Sequence, residues 1–547
     1  MTSCGAANPN LWGSQSWLQP AFSRLLRLAI RPFLPQETLP PAIAWHPWRT
    51  HSCVPRSHSC ERFRFRLLAL VAPILFLSAC AVGPNYKRPA AIIAPAYKEP
   101  PPEAFKEAQS AGLQPANPAD AFQKGKWWEI YNDPVLNALE ERVDINNQNV
   151  LAAEANYRQA KAAVRVARAG LFPTATAGPG ISEAHAVTTP GSSATHTNFS
   201  LPLDASWEPD LWGNIRRGIT ASAATAQASF ADLENAKLLY QSELASDYFQ
   251  LHGTDGDIDL LNTTAISYDE YLTLTKNRFA GGVASDLDVA QAEAQLFGTE
   301  SQLIDLGVQR AQFEHAIAIL AGQTPVELTI PKALLTGPPP PVPIGLPSEL
   351  LERRPDIAGS ERLVHAANEQ IGIAMAAFYP TLTLSASAGF QSTSIAKWFS
   401  LPSRFWSVGP ALAETLFEGG RRKAMVAEEQ AAYDSTVATY RQTVLTAFQQ
   451  VEDQLAALRV LEQEASKLDQ TVKSADRALT VSRAQYIAGT VNYLTVITAQ
   501  ATLLTAQVTA VNLLTRRFTA SVSLVQALGG GWSVSQLPSQ QEVTKGN

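Results

Sequence analysis

Thiol and imidazole side chains are the first candidates for chemistry in this chain. The sequence has four cysteines, and none of them follows Cys80. The chain beyond Cys80 therefore has no thiol pair for redox chemistry and no thiolate metal site. The histidines beyond this point are His185, His196, His252, His315 and His365. No two of them have the i, i+4 spacing of helical metal ligands, so we interpret each as a lone polar residue.

Carboxylates and glycines give no enzyme motif either. The sequence has no phosphate-binding loop, no dinucleotide fingerprint and no nucleophile elbow. Asp255 and Asp257 lie close to glycines, and we interpret both as residues of a turn. A formal net charge of −6 offers no basic surface to nucleic acid. We therefore predict that the protein is not an enzyme, holds no metal or other cofactor and has no nucleic-acid partner.

One cysteine does carry a chemical prediction. Arg62, Arg64 and Arg66 precede an eleven-residue apolar run, which is too short to span a bilayer but is typical of a secretory signal. The run ends in Leu77-Ser78-Ala79-Cys80, which resembles a bacterial lipobox. The resemblance implies cleavage before Cys80 and covalent attachment of diacylglycerol and an N-acyl chain, such as palmitate, to this residue. The alternatives are an ordinary signal with a chance cysteine, or a buried apolar strand.

Because cleavage is predicted before Cys80, we do not expect residues 1–79 to be part of the fold. About sixty residues precede the signal, and they are rich in Pro, Trp, Arg and His without sustained periodicity. A signal peptide is expected at the start of a chain. We therefore expect this extension to be removed with the signal or never made, with translation beginning later, for example at Val54.

The sequence from Cys80 onward contains an internal repeat. Leu171-Phe172-Pro173-Thr174 recurs as Phe378-Tyr379-Pro380-Thr381, at an offset of 207 residues. Phe279-Ala280-Gly281-Gly282 recurs as Tyr486-Ile487-Ala488-Gly489 at the same offset. We predict a removed extension and signal at 1–79, a lipidated segment at 80–133, a first repeat at 134–330, a proline-rich linker at 331–346, a second repeat at 347–532 and a flexible tail at 533–547.

Each copy shows the order helix, hairpin, very long helix, turn and helix. The first helical pattern runs from about Pro134 to Leu171 and stops at Pro173, because proline cannot continue a helix. Stretches without proline predict helices at 214–280 and about 421–488, each on the order of 100 Å long. No helix carries eighteen uninterrupted apolar residues, so we predict no membrane-spanning helix.

The strands are the candidates for a membrane-spanning element. Residues 199–207 alternate between apolar and polar side chains, which is typical of a strand with one apolar face, and 381–390 and 405–416 alternate more weakly. Only helices and closed barrels satisfy backbone polar groups in lipid, and four strands are too few to close a barrel. We therefore predict that strands are pooled between chains. Three chains would supply twelve strands, whereas two would supply eight and a barrel filled by side chains.

Several motifs resemble those of one protein family. They are Cys80-Ala81-Val82-Gly83-Pro84-Asn85-Tyr86, Trp127-Trp128 and, most specifically, Leu346-Pro347-Ser348-Glu349-Leu350-Leu351-Glu352-Arg353-Arg354-Pro355-Asp356-Ile357. Residues 80–532 as a whole resemble the TolC-like outer-membrane factor lipoproteins of the NodT/OprM type. The resemblance implies a mainly α fold with β, made of two tandem repeats of long helices plus β-hairpins. It further implies a trimer, in which a twelve-strand outer-membrane β-barrel continues into a periplasmic α-helical barrel.

The resemblance also implies a function. Members of this family are outer-membrane channel components of tripartite efflux systems, which passively export small molecules. The implied partners are two further copies of the chain, a periplasmic adaptor protein, an inner-membrane RND-type transporter and outer-membrane lipid. Two alternatives stay open, namely the exit duct of a type I protein secretion system and a structural envelope lipoprotein without a pore.

The family has its gate and its adaptor-docking surface at the turns that join the paired long helices. The residues that match this tip motif are Arg278, Phe279 and Gly282 in the first copy and Gln485, Tyr486 and Gly489 in the second. The second copy thus has Gln485 where the family usually has arginine. Relatives of the OprM type also carry an aspartate at the position of Thr498, which is lost here.

Two aspartates at the tip of the first copy are further candidates for a gate. In a trimer, an inward Asp286 or Asp288 would form a ring of like charges that repel one another and bind cations. A structural alternative stays open for each residue. Asp286 could cap the following helix, and Asp288 could interact favourably with the dipole of that helix.

Overall fold

The computed structural model describes residues 81–100, 102, 126–189, 192–344 and 347–545. The predictions for residues 1–79 and for a lipid on Cys80 lie outside these residues. Within them, one order of helices and strands occurs twice.

The first repeat opens with a short 3₁₀ helix and two α-helices, and side chains cap both α-helices. A 3₁₀ helix, Trp127–Tyr131, is followed by α1 (Pro134–Asn146) and α2 (Gln148–Ala169). The carboxylate of Asp133 accepts hydrogen bonds from the backbone N–H groups of Val135 and Leu136, at 2.9 and 3.2 Å. These groups have no partner inside the helix, so the cap stabilises the first turn of α1.

The remaining elements alternate between strands and long helices. The first repeat continues with β1 (Thr174–Ala177), β2 (Gly180–Thr189), β3 (Ser192–Trp207), α3 (Asn214–Ala280) and α4 (Asp286–Leu320). After 3₁₀ and α turns at Pro347–Glu349 and Leu350–Arg353, the second contains α5 (Pro355–Ala376), β4 (Thr381–Ser392), β5 (Arg404–Ala413), α6 (Arg421–Ile487) and α7 (Tyr493–Ala527). Short 3₁₀ helices lie at Ile395–Lys397, Leu401–Ser403 and Val534–Gln536, and α8 (Gln540–Thr544) comes last.

The predicted repeat is confirmed. Helices α6 and α7 begin at Arg421 and Tyr493, each 207 residues after the start of the equivalent helix, α3 or α4, in the first repeat. Helices α3 and α6 each contain 67 residues, and α4 and α7 each contain 35. The single helix predicted from Pro134 to Leu171 is wrong, because it is broken in two at Asn147. The backbone of Asn147 is extended there (φ −63°, ψ 122°), and its side chain caps α2.

The two repeats also make equivalent tertiary contacts. Asn147 Nδ2 donates a hydrogen bond to the Leu320 carbonyl oxygen at 2.9 Å. In the second repeat, Arg354 Nη1 donates to the Ala527 carbonyl oxygen, also at 2.9 Å. Both pairs link the start of one helix to the end of the long hairpin that follows. Arg354 lies in the family motif quoted above, so that motif fixes a junction of the fold.

Beside each of these junctions lies a glycine that no other residue type can replace without strain. Gly322 and Gly529 have φ values of +70° and +95°. A Cβ atom on Gly322 would lie 2.3 Å from the Asn146 carbonyl oxygen, and one on Gly529 would lie 2.1 Å from that of Arg353. Positive φ and close backbone approach both require glycine, so the hairpins can end only where these residues lie.

The main core surrounds the middle of α3. This helix packs against α2, α4, α5 and α7, so it belongs to nearly every layer of the helical part. Trp127 and Trp128, each 1% exposed, insert their indoles into the same core, where Tyr440 of α6 is also fully buried. The core therefore joins both repeats, and neither repeat folds around a core of its own.

Two interpretations of the sequence are wrong inside α3. Asp255 and Asp257 lie in the middle of this helix, not in a turn. His252 is not a lone polar residue, because its Nδ1 lies 3.2 Å from Asp255 Oδ2, and Arg310 Nε donates to Asp255 Oδ1 at 2.7 Å. Burial alone would raise the pKa of Asp255, but the hydrogen bonds from His252 and Arg310 lower it below its ordinary value.

The C-terminal segment, for which we predicted a flexible tail, contains a short 3₁₀ helix and α8. Val543 of α8 is 2% exposed and packs with Val164 and Ala223. Gln227 Nε2 donates a hydrogen bond to the Pro538 carbonyl oxygen at 2.8 Å. The composition of the segment is polar, and a single apolar residue provides its anchor.

Helix α7 differs from the prediction that no helix could span a membrane. By length and composition alone it is apolar enough to do so. Phe518, Val522 and Val525 of this helix are buried in the main core, and α7 packs along α6. These three apolar side chains therefore serve helix packing in this fold.

Glu140 of α1 is a buried acid without a partner. Its side chain is 0% exposed, and neither carboxylate oxygen has a hydrogen-bond partner among the described residues. Burial, together with the nearby charge of Asp144, raises the pKa of Glu140 well above its ordinary value. The folded protein therefore binds this proton more tightly than the unfolded chain does.

This burial predicts a loss of stability as pH rises. Stability should fall as the pH rises above about 4.5, where glutamate in the unfolded chain begins to lose its proton. Glu140→Gln should raise the thermal unfolding temperature at pH 8 more than at pH 5, because each unit of pKa shift corresponds to about 1.4 kcal/mol. Circular dichroism of the purified protein would measure this. The neighbouring Glu141, with a side chain 54% exposed, provides the control Glu141→Gln. Equal pH profiles for wild type and Glu140→Gln would contradict the prediction.

Candidate functional site

The strands form one antiparallel sheet that combines both repeats. Strands β1 and β2 pair one after the other with β3, β3 pairs with β4, and β4 pairs with β5. The break between β1 and β2 falls at Gly178-Pro179, where proline cannot donate to the ladder. The sheet is therefore four strands wide, as predicted, with the hairpins of the two repeats side by side.

The register of the paired strands places apolar side chains on one face of the sheet and polar side chains on the other. Trp207 lies opposite Leu384, and Ala386 lies opposite Val408, so apolar residues of neighbouring strands share a face. The apolar face carries Ile181, Phe199, Leu201, Leu203, Trp207, Leu384, Phe390, Trp406, Val408 and Leu412. The opposite face carries Thr176, Ser182, Ser200, Asp204, Ser206, Ser385, Ser387, Gln391 and Ser407.

The apolar face is uncovered in the single chain. Trp406, Val408 and Leu412 of β5 are 74%, 73% and 71% exposed. Along β4 the apolar positions run from Leu382 to Phe390, on the order of 30 Å of strand. When the strands are tilted as in a barrel, this corresponds to the apolar band of about 25 Å that barrels present to lipid.

Aromatic rings border this band at both ends. At one end Trp398 lies 5.7 Å from the ring of Phe199 and 4.9 Å from that of Phe399. At the other end Trp212 stacks on Tyr379 at 4.8 Å, and its Nε1 donates to the Pro380 carbonyl oxygen at 2.8 Å. Amphipathic rings with a satisfied polar atom are typical of the two water interfaces of a membrane barrel.

Both outer edges of the sheet are open. Strands β1 and β2 pair on one side only, and β5 pairs only with β4, among the residues that the structure describes. The free edges expose backbone N–H and C=O groups next to a bare apolar face. Such an edge is a template for another strand, and in lipid it would leave polar groups unsatisfied.

The two turns at the far ends of the long helices are built alike. Gly282 and Gly489 have φ values of +71° and +76°, as expected for turn glycines. Val283 N–H donates to the Arg278 carbonyl oxygen, and Thr490 N–H donates to that of Gln485, both at 2.9 Å. These bonds close each helix with the left-handed residue that only glycine adopts readily.

A small aromatic cluster joins the two hairpins near these turns. Tyr486 and Tyr493 of the second repeat are buried against Tyr268 and Leu272 of the first. Burial, reinforced by the neighbouring tyrosines, raises the pKa of Tyr493 to about 12. This tyrosine is thus a neutral packing residue at physiological pH.

Two arginines lie over rings of the opposite repeat. Arg278 of α3 lies 4.7 Å from the ring centre of Tyr486, and Arg483 of α6 lies 5.1 Å from that of Tyr271. Cation–π contacts of this kind contribute about 0.5–2 kcal/mol each. The motif led us to Arg278 and Tyr486 but not to Arg483. The sequence feature that could have indicated Arg483 is its position, two residues before Gln485, which stands where the motif usually has arginine.

The other predicted tip residues are exposed or act as caps. Ser285 caps α4, and Asp288 completes a capping box by accepting a hydrogen bond from the Ser285 N–H at 2.9 Å. The proposal that Asp286 is the cap is therefore wrong, because it lies one residue inside the helix. Phe279 is 47% exposed, and Asp286 and Gln485 are also exposed, so these side chains are available to other chains.

The sequence as a whole has clear relatives. Residues 140–323 and 346–530 match the family described as outer membrane efflux protein. The chain is 30% identical over 471 residues to the probable efflux pump outer membrane protein TtgC of Pseudomonas putida. The matched region covers 85% of this chain and 96% of TtgC. It is 33% identical over 428 residues to the pyoverdine export outer membrane protein OpmQ of Pseudomonas aeruginosa, covering 76% of this chain and 90% of OpmQ.

A solved structure has the same fold. The outer-membrane channel OprN superposes with a TM-score of 0.74 at 28% identity, covering 83% of this chain and all of the OprN chain. The similarity therefore extends over most of the chain.

The tip cluster predicts that the two hairpins stabilise each other. Tyr486→Leu removes the ring under Arg278, so amide hydrogen exchange should rise at least about twofold around residues 278–284 of the other hairpin. Tyr486→Phe is the matched control, because the Tyr486 hydroxyl has no hydrogen-bond partner among the described residues. Mass spectrometry of exchanged peptides would measure both variants. Unchanged exchange at 278–284 in Tyr486→Leu would refute the coupling.

Proposed function

Because the chain belongs to the outer membrane efflux protein family, we propose that three copies close their sheets into one twelve-strand barrel that opens into a shared helical tunnel. The protein is an outer-membrane efflux channel. In our proposal it is a passive duct that catalyses no reaction and exports small molecules. The tunnel would consist of the hairpins α3–α4 and α6–α7 of each copy.

The observation that carries this proposal is the sheet with two unlike faces and two open edges. A membrane barrel needs an apolar outer face, a polar inner face and no free edge. The sheet meets the first two conditions and fails the third, so closure requires other copies of the chain. Four strands from each of three copies suffice for an open pore, whereas eight strands give a filled barrel.

The length of the helices supports a tunnel that extends far from the membrane. At 1.5 Å per residue, the 67 residues of α3 span on the order of 100 Å. Its N-terminus follows β3 directly, so the helical tunnel begins where the barrel ends. In a bacterial outer membrane this places the tunnel in the periplasm, with the turns at Gly282 and Gly489 at its far end.

We further propose that these turns are the gate and the docking surface for partner proteins. TtgC is named as part of an efflux pump, and we extend that assignment to this chain with a periplasmic adaptor and an inner-membrane RND-type transporter as partners. Exposed Phe279 and Gln485 are candidates for adaptor contacts. Asp286 remains a candidate for a charged ring at the gate, whereas Asp288 already has a structural partner.

The N-terminal segment supports the proposal of a lipid on Cys80. Val82 N–H donates a hydrogen bond to the Trp212 carbonyl oxygen at 3.1 Å. A Cβ atom on Gly213 would lie only 3.1 Å from the Cβ of Ala81, so the two backbones are in close contact. Ala81 is thus held beside the Trp212–Tyr379 aromatic pair. Acyl chains on the preceding residue would start at the membrane interface.

A charge on the apolar face should prevent barrel assembly. Val408→Arg introduces one cation per copy near the middle of β5, at a cost of about 2–4 kcal/mol each in the bilayer core. We expect loss of the trimer from the outer-membrane fraction, measured by light scattering after gentle solubilisation. Ser407→Arg is the matched control, because it adds the same charge to the polar face one residue away. Equal loss of trimer in both variants would contradict the assigned faces.

Lipid attachment can be tested separately from the pore. Cys80→Ser should abolish incorporation of labelled palmitate, while trimers still form because the barrel does not depend on the anchor. Intact mass spectrometry of wild type should give a chain that starts at Cys80 and carries three acyl chains. Cys60→Ser is the control and should leave labelling unchanged. Palmitate labelling that persists in Cys80→Ser would refute the proposed site.

A further inference from the structure

The second repeat lacks neighbours that its counterpart in the first repeat has. Helix α3 of the first repeat packs against α5 and α7 of the second. Under the offset of 207 residues, the helices equivalent to α3, α5 and α7 are α6, α2 and α4, and the two helices of each pair have the same length. Among the residues that the structure describes, α6 makes no extended contact with α2 or α4 of its own chain. One side of α6 is therefore without the partners that the repeat predicts for it.

The closest approach between α3 and α5 shows which contact is missing. A Cβ atom on Gly359 of α5 would lie 3.3 Å from the Cβ of Ala231 in α3, and Ala231 is 0% exposed. The equivalent residues are Ala152 of α2 and Ala438 of α6, and both are exposed. Small residues that allow close helix packing are thus present at both positions, but the single chain does not bring them together.

An open groove runs along α6 at this level. It has a volume of about 540 Å³, and Ser435, Ala438 and Gln442 of α6 line it. In the first repeat, Ala228 and Ala231 stand at the positions of Ser435 and Ala438, and both are buried beneath α5. The groove is therefore the surface that a helix equivalent to α5 would cover, and α2 is that equivalent.

Exposed apolar side chains show the same relation further along the long helices. A Cβ atom on Gly253 of α3 would lie 2.2 Å from Thr515 Oγ1 of α7, so these helices are in close contact. The equivalent residues are Val460 of α6, which is 50% exposed, and Val308 of α4, which is 56% exposed. Ile304, one turn before Val308, is 76% exposed. Apolar side chains at equivalent positions on both helices predict a partner surface that removes them from water.

The junctions between strands and helices show this relation again at the membrane end. Trp212, just before α3, stacks on Tyr379, which precedes β4. Trp212 corresponds to Phe417 at an offset of 205 residues, because each follows a leucine and lies four residues before an Arg-Arg pair. Tyr379 corresponds to Phe172 at an offset of 207 residues. Phe417 and Phe172 are 90% and 62% exposed, and they lie next to β5 and β1, the strands at the open edges of the sheet.

We propose that α6 of each copy packs against α2 and α4 of the next copy, and so repeats between chains the contact that α3 makes with α5 and α7 within one chain. In this arrangement Ala438 lies against Ala152 of the next copy. Val460 likewise lies against Val308 of the next copy, and Phe417 lies against its Phe172. The inference rests on the proposed trimer and deepens it, because it names the helical surfaces at which the copies meet.

A second copy fits this surface for two reasons. The chain itself carries the matching surface on α2 and α4, at positions that the repeat fixes. The surface also continues from the open edges of the sheet, where the proposed barrel joins β5 of one copy to β1 and β2 of the next. A closed ring then alternates between contacts within a chain and equivalent contacts between chains.

A disulfide between copies tests the proposed contact. No native cysteine follows Cys80, so the double variant Ala152→Cys/Ala438→Cys adds two thiols to a region that has none. The 3.3 Å between the equivalent Cβ positions within the chain is close to the spacing of about 3.5–4.5 Å in a disulfide. Mild oxidation of outer membranes should give covalent dimers and trimers, and no larger species, on a non-reducing gel. Both substitutions replace exposed alanines, and light scattering would show that the variant still forms trimers.

The matched control is Ala152→Cys/Ala424→Cys. Ala424 is an exposed alanine of the same helix, 14 residues from Ala438 and on the order of 20 Å away. A disulfide cannot bridge that distance, so we expect at least about tenfold less linked protein than in the first variant. Val308→Cys/Val460→Cys provides a second, independent pair that should also link.

Co-expression shows whether the bond joins two copies. A tagged chain carrying only Ala152→Cys and an untagged chain carrying only Ala438→Cys should give linked dimers that contain both chains. Trimers that form without a link at either cysteine pair would overturn the inference and leave the proposed channel in place. Equal linking in the control pair would also overturn it, because the contact would then be non-specific. If the wild type forms no trimer at all, both proposals fail together.

Discussion

The requirement that every backbone polar group find a partner in lipid governs this structure. A sheet with an apolar face can enter a bilayer only if its edges are closed, and a chain with four strands cannot close them alone. The pairing of β3 with β4 is the first consequence, because it removes one edge from each hairpin within the chain. The trimer that we propose would be the second consequence, because contacts between copies would remove the two edges that remain. The polar face would then line the pore, since alternation along the strands puts serine and threonine there.

The same requirement explains why two repeats share one core. The hairpins lie side by side, and the helices that follow them pack around shared partners, because both α3 and α6 contact α5 and α7. Equivalent junctions at Asn147 and Arg354 keep these helices in register, with an amide in one repeat and a guanidinium in the other. Each donates to the last turn of the hairpin from its own repeat. A duplicated plan can therefore diverge in residue type while its geometry is kept.

Much of this architecture was predictable from the sequence, and the exceptions have a common physical cause. Periodicity and proline positions were sufficient for the long helices and for β3, because those signals are local. Asp255 and Asp257 were mistaken for turn residues because Gly253 and Gly256 lie beside them. In the structure these glycines serve the close approach of α7, a contact more than 250 residues away in sequence. The break at Asn147 and the cap at Ser285 depended on single residues that patterns of hydrophobicity do not register.

The tip shows how a lost residue can be replaced without restoring the motif. The first repeat keeps Arg278, whose guanidinium lies over Tyr486 of the second repeat. The second repeat has Gln485 at the matching position, and its cation comes from Arg483, which lies over Tyr271 of the first repeat. Each hairpin thus gives one cation to the other and receives one in return. A cation–π contact needs a charge over a ring but not at one sequence position, so a shift of two residues along α6 is tolerated. What is kept between the repeats is therefore the exchange of contacts, while the sequence position of the cation differs.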